Sequence, residues 1–181
     1  MNTLEAIKSR RSVRRYTDQP VAKEVLSQIV EAASYAPSWK NTQTVRYLAV
    51  YSHEVKKEIA DHCVQDFAGN QRIIENAPVL ILELTVAGRS GYERDGSFST
   101  SQGTHWQSFD AGIAAEAFCL AAHELGLGTV IMGVFDEEKV AAAAQIPEGQ
   151  KVSSMIALGY PAEEPKAPRR KTVEELLTVL S

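Results

Sequence analysis

The chain lacks every short motif that would name a catalytic machine by itself. It has no G-x-S-x-G nucleophile elbow, no H-E-x-x-H zinc helix and no phosphate-binding P-loop. Those absences exclude the common serine hydrolases, zincins and P-loop nucleotidases. Cysteine is scarce. Cys63 and Cys119 are far apart and form neither a C-x-x-C pair nor a zinc pattern, so a disulfide framework is not expected and two idle thiols in a reducing compartment are. The histidines His53, His62, His105 and His123 are scattered, and no metal site is expected. Of these, His105-Trp106 borders a long loop and is placed to line a pocket. No apolar run is long enough for a bilayer: residues 111 to 135 are broken by Glu116, His123, Glu124 and several glycines. Met1 to Lys8 has no apolar core of a signal peptide, which gives a cytoplasmic expectation. A net charge of -4 argues against a general nucleic-acid binder.

What the chain does have is an ordinary globular composition, 44% hydrophobic and 23% charged over 181 residues. That suffices for one core and one domain spanning residues 1–181. Helical spacing of Leu4 and Ile7, and of Leu26, Ile29, Val30 and Ala33, predicts helices over 3–10 and 21–35. Pro37 ends the second. Strands are expected over 45–51, 78–85, 129–134 and 152–158, with the apolar run at 78–85 central. Helices are expected over 54–67, 107–125 and 136–144. A terminal helix over 172–180 would carry a Thr172–Glu175 capping box. Residues 88–103, rich in Gly, Ser, Thr and charge, read as a functional or mobile loop. Helices interleaved with about four strands predict helices covering a sheet.

Positive charge is gathered rather than spread. Ser9-Arg10-Arg11-Ser12-Val13-Arg14-Arg15 and Lys166-Ala167-Pro168-Arg169-Arg170-Lys171 hold eight of the chain's 19 Lys and Arg. Arginine presents a planar fork of donors that matches phosphate, and serine adds a hydroxyl. An acidic chain with two such clusters is expected to hold a compact anion. The four-residue spacing of Arg10 and Arg14, and of Arg11 and Arg15, would set them on adjacent faces if this segment is helical. A lone cluster would be a solvated charge run; a second cluster that can fold beside it weakens that reading. Pro37-Ser38-Trp39-Lys40-Asn41-Thr42-Gln43 is a polar loop whose amides can read a flat heterocycle. Gly126-Leu127-Gly128 is no dinucleotide fingerprint, because it leaves a helix and enters a strand; Gly126 is read as a helix cap. Gly133, at the far end of that strand, would allow close approach of backbone to a ligand. An anion site and an amide-rich loop without a catalytic dyad point to a cofactor that carries the chemistry.

Taken together these segments resemble the nitroreductase-like family of FMN-dependent oxidoreductases. Ser9 to Tyr16 resembles its R-R-S-x-R motif and Ala36 to Gln43 its A-P-S-x-x-N-x-Q. Residues Glu124 to Thr129 with Ile131-Met132-Gly133 resemble its helix-to-strand segment. Gly159-Tyr160-Pro161 with Pro168 to Lys171 resembles its C-terminal segment. Many relatives carry Pro-Trp after the glutamine; here stand Thr44-Val45.

The resemblance implies an α+β three-layer sandwich, a central mixed sheet flanked by helices, and a homodimer with FMN at the subunit interface. It implies FMN contacts from Arg10, Arg11, Ser12 and Arg14, from Pro37, Ser38, Asn41 and Gln43, and from Ile131, Met132 and Gly133. Arg170, with Arg169 as its rival, would hold the phosphate. NAD(P)H would be the hydride donor, and a nitroaromatic or quinone the acceptor, in ping-pong order. No side chain is assigned as a proton donor. Beside this reading stand a non-catalytic flavin-binding or sensing protein and a specialised flavin chemistry on the same scaffold.

Overall fold

A computed structural model describes residues 2–180. Its elements, in chain order, are α1 (Thr3–Ser9), α2 (Lys23–Ala33), a 3-10 turn at Trp39–Asn41, β1 (Val45–Val50), α3 (His53–His62), α4 (Ala68–Asn76) and β2 (Val79–Val86). They continue as α5 (His105–Glu124), β3 (Gly128–Met132), α6 (Glu137–Ala143), β4 (Gln150–Gly159) and α7 (Val173–Leu176). The strands form one sheet in the order β1-β2-β4-β3. All three pairings are antiparallel. Among the described residues, the parallel part of the mixed sheet implied by the resemblance is an isolated bridge between Ser12 and Thr129.

Strand β2 is buried along nearly its whole length, and apolar but for Glu83 and Thr85, because both faces are covered. Leu80, Leu82 and Leu84 pack with Ile59, Ile74 and Val140 from the α3, α4 and α6 side. Val79 and Ile81 pack with Ile29 of α2 and Phe118 of α5 on the other. Two helical layers with a sheet between them make the α+β three-layer sandwich.

The helix expected over 54–67 is shorter, and a second, unexpected helix follows it. Helix α3 stops at His62, and Gln65 and Asp66 take left-handed backbone angles, φ +52° and +57°, before α4 starts. Helix α4 went unseen because its opening, Ala68-Gly69-Asn70, reads as a turn. The terminal helix is one turn, with the Thr172–Glu175 capping box formed but no buried residue in it to carry it further. Helix α5 is closed off by Gly126, as expected. Gly126 (φ +78°) sends its N–H to His123 O at 3.0 Å, and Leu127 sends its own to Ala122 O at 2.9 Å. That pair of bonds is a Schellman close.

Candidate functional site

The first candidate region forms where the N-terminal segment leaves α1. Residues 10–16 are not helical, so the helical spacing of the arginines has no bearing; they ride on an irregular strap laid along β3. Val13 N–H donates to Thr129 O at 2.9 Å, and Ser12 bridges Thr129. Val13 and Tyr16 are the strap's buried anchors. The Tyr16 hydroxyl donates to Val13 O at 2.7 Å and sits 3.2 Å from Ala157 O. Burial raises its pKa well above the usual tyrosine value. With Val13 and Tyr16 sunk in the core, Arg14 and Arg15 are left outside.

The C-terminal strand exit then runs beside the strap. Thr17 N–H reaches Tyr160 O at 2.9 Å and Ala162 N–H reaches Arg15 O at 3.0 Å. These bonds bring the second basic cluster onto the first. Arg10, Arg11, Ser12, Arg14, Lys166 and Arg170 line one cleft of about 370 Å³. Arg169 is not among its lining residues. Arg10 Nε is buried without a hydrogen-bond partner, and its ion pair with Glu116 is long at 3.6 Å. Arg11 Nη1 donates only to backbone, Lys8 O and Arg10 O. No carboxylate pairs with Arg14, Lys166 or Arg170 among the described residues. Donors that are gathered, partly desolvated and unmatched by acids favour an anion. A larger cavity, about 850 Å³, adjoins this cleft through Arg10, Arg11 and Lys166 and is lined also by His123. His123 Nε2 lies 2.7 Å from Ser9 Oγ. Burial and then Arg10 hold its pKa below the usual histidine value.

The amide loop forms a second region. Lys40, Asn41 and Gln43 have φ of +45°, +53° and +47°. Left-handed backbone at a non-glycine residue costs about 1–3 kcal/mol and persists only where neighbours impose it. Here Ser38 Oγ accepts from Gln43 N–H at 3.0 Å. Both carboxylate oxygens of buried Asp110, on α5, accept from Trp39 N–H at 3.1 and 3.0 Å. The Trp39 and Trp106 rings stand 4.5 Å apart. Pro37, Ser38, Gln43, Thr44, Tyr47 and Asp110 line a cavity of about 340 Å³, and Asn41 is not among its walls. Sequence reasoning missed Asp110. Its signal was an acid directly before the run of small residues Ala111-Gly112-Ile113-Ala114-Ala115.

The loop 88–103 docks on this region. Gln107 Oε1 accepts from Gly88 N–H at 2.9 Å, and Trp106 Nε1 donates to Thr100 Oγ1 at 2.9 Å. Lys40 pairs with Glu93 at 3.1 Å.

The third segment is the end of β3. Ile131 is 46% exposed, Met132 is buried in the core, and Gly133 has nothing within 4 Å of where a Cβ would stand. Met132 can therefore offer a ligand only backbone. The basic cleft and the amide-loop cavity share no residue within one chain. Among the described residues no group of three or more His, Cys, Asp or Glu could hold a metal ion, and no helix is long and apolar enough to cross a membrane.

Comparison with known proteins bears on this arrangement. The model of the nitroreductase family matches residues 7–160. The chain is 34% identical to an FMN reductase (NAD(P)H) of Bacillus subtilis over 92% of this chain and 69% of the relative. It is 30% identical to an NADH dehydrogenase of Thermus thermophilus over 93% of this chain and 91% of the relative. It superimposes on a nitroreductase family protein of Clostridium novyi with a TM-score of 0.78 and 28% identity, covering 93% of this chain and 89% of that one.

Proposed function

The chain belongs to the nitroreductase family, and from that premise we propose that it is an FMN-dependent NAD(P)H oxidoreductase reducing quinones, nitroaromatics or similar small acceptors. The observation that carries the reading is the cleft in which the two basic clusters, from opposite ends of the chain, meet around unmatched arginine donors. One terminal phosphate is the group such a cleft suits.

The residues fit FMN. Arg10, Arg11, Ser12 and Arg14 would hold the phosphate and ribityl end, with Arg170 from the tail and Arg169 adding charge beside it. Arg10 Nε, buried without a hydrogen bond and only 3.6 Å from Glu116, gains an acceptor in this way. Pro37, Ser38, Asn41 and Gln43 would meet the ring edge. The orphaned hydroxyls of Thr42 and Thr44 and the orphaned Trp39 Nε1 show that this loop carries unused polar capacity. Backbone of Ile131, Met132 and Gly133 would border the ring. When bound, FMN takes hydride from NAD(P)H and passes it to the acceptor. The chain's own work is to neutralise the phosphate, fix the ring edge and keep water off.

One chain holds these halves apart, which supports a homodimer whose second copy supplies the amide loop. Helix α5 presents Phe109, 60% exposed, along a strip with Gly112, Ile113 and Glu116. The tail after Pro161 leaves the body with its apolar side chains bare. The reading takes residues 1–181 as one FMN-binding domain. Its two cysteines, both free and buried, suit a reducing cytoplasm.

The test begins with the purified protein. Heat release and chromatography should yield FMN; FAD, or no flavin after incubation with FMN, overturns the reading. Steady-state plots with NAD(P)H and a quinone should be parallel, because donor and acceptor use one pocket in turn. Intersecting lines would show that both bind together.

A further inference from the structure

A carboxyl group is buried where the fold has no evident need of one. Glu83 stands in the middle of β2, the most apolar strand, and is 1% exposed. It lies on the sheet face shared with Val79 and Ile81, under α5. Its strand neighbours across the sheet are Tyr47 on β1 and Ser154 on β4. Glu83 Oε2 is 2.7 Å from Ser154 Oγ, while Oε1 is buried with no hydrogen-bond partner. The titratable groups that face it are Tyr47 from β1 and Cys119 from α5. No cation is among its neighbours in those interactions. Burial pushes its pKa up to about 7, against the Ser154 hydrogen bond, which pulls the other way. An unpaired buried carboxyl is expensive unless it stays neutral.

The same row leads outward. The register of β4 with β3 ends at Met155–Met132. Carried one step past the end of β3, the same register would set Ser154 opposite Gly133, whose Cβ direction is open. The ladder slips between Glu83 and Leu84, so Ser153 is an extra residue on β4, and its hydroxyl is 2.6 Å from Thr85 Oγ1. Such bulges re-aim side chains, often beside active sites. Ser154 thus links the buried acid to the open end of β3.

We propose that Glu83 stores a proton for the reduction of the acceptor and delivers it through Ser154 to the site bordered by Gly133. This rests on the oxidoreductase reading above. Hydride donation to a quinone leaves an oxyanion that needs one proton. Ser154 Oγ–H gives its proton to that oxygen and takes one from the Glu83 carboxyl, so the serine ends unchanged and Glu83 ends as carboxylate. Solvent then reprotonates Glu83. Glu83 acts through the serine and so positions and supplies a proton without touching the ligand.

The test compares wild type with Glu83→Gln and Ser154→Ala. Infrared difference spectra of the FMN-free protein should show a carboxylic acid band that titrates near pH 7 and is missing in Glu83→Gln. Stopped-flow oxidation of the reduced, FMN-loaded protein by quinone should slow in wild type as pH rises through 7. Both variants should lose that dependence and react about 10²-fold more slowly below pH 7, the lower end of general-acid effects. Reduction by NAD(P)H should change far less. Absence of the acid band, or an intact pH profile in Glu83→Gln that loads FMN normally, overturns the proton role alone. Wild-type protein that takes up no FMN overturns the oxidoreductase reading, and the proton role falls with it, whatever the infrared shows.

Discussion

At the scale of single residues, two kinds of charge behave differently. The arginines are exposed enough to be swapped without collapsing the core, so their loss should read out as affinity. A charge-assisted hydrogen bond contributes about 1.5–3 kcal/mol, so Arg14→Ala and Arg170→Ala should each weaken FMN binding roughly tenfold to a hundredfold. Quenching of flavin fluorescence on titrating the apoprotein measures this; unchanged affinity in both makes the cluster a solvated face. Glu83 is the opposite case. Its usual carboxyl value of 4.5 is raised to about 7 in the fold. Below pH 4.5 both folded and unfolded chains hold the proton and nothing is lost. Between 4.5 and 7 the unfolded chain releases it while the folded chain keeps it, so stability falls as pH rises, by on the order of 3 kcal/mol across the window. Subtracting the denaturation curve of Glu83→Gln from that of wild type should isolate this slope. A flat difference would mean Glu83 ionises freely in the fold. The arginines were legible in the sequence because like charge in a short run is visible without knowing the fold. Glu83 left a fainter mark, one acid inside Pro78-Val79-Leu80-Ile81-Leu82-Glu83-Leu84, and only the register shows that both its sides are covered.

At the scale of elements, the sequence announced those whose pattern is local and hid those set by neighbours. β2 and α5 are long and unbroken, and both stand close to where periodicity predicts. Helix α4 is hidden because its stability comes from Ile73 and Ile74 meeting the core and not from the helix propensity of its sequence. Lys56 of α3, mostly buried, donates to Ala77 O at 2.5 Å just past its last turn. The strap from Arg10 to Tyr16 is equally unreadable, since it owes its path to β3. Gly128 is what lets it lie there. A Cβ on Gly128 would fall 2.6 Å from Val13 Cβ, and Val13 is buried. Gly128→Ala should therefore lift the strap, costing about 1–3 kcal/mol of stability as overpacking does. Because the strap carries four arginines, FMN affinity should fall with it, although residue 128 touches no phosphate. Thermal melts and flavin titration of the same sample would test both; a stable variant with full affinity would show that the strap is not held by this contact.

At the scale of the whole molecule, the unsolved surface is the tail. Val173, Leu176, Leu177, Val179 and Leu180 are 60–95% exposed, more bare apolar surface than a free monomer keeps in one short segment. Leu4 and Ile7 of α1 and Phe109 of α5 are exposed too. The residue pattern predicts a full helix over 172–180, yet only one turn forms, because a helix with no partner has no core to reward it. The proposed homodimer would give these residues a place: each tail would lie against the other copy, and the amide loop of one copy would close over the basic cleft of its partner. Truncation after Lys171 separates the two jobs of the tail. It keeps Arg170 and removes the apolar side chains. If the tail ties the copies together, the truncated chain should sediment at or near the 19.8 kDa of one chain where the full chain gives twice that. It should also hold FMN more weakly although every cleft residue is present, and the loss should shrink as protein concentration rises, since mass action restores the dimer. A truncated protein that stays dimeric with full affinity would place the interface on α1 and α5 alone. A monomer with full affinity would mean that one chain suffices for the cofactor, and the shared site would be wrong.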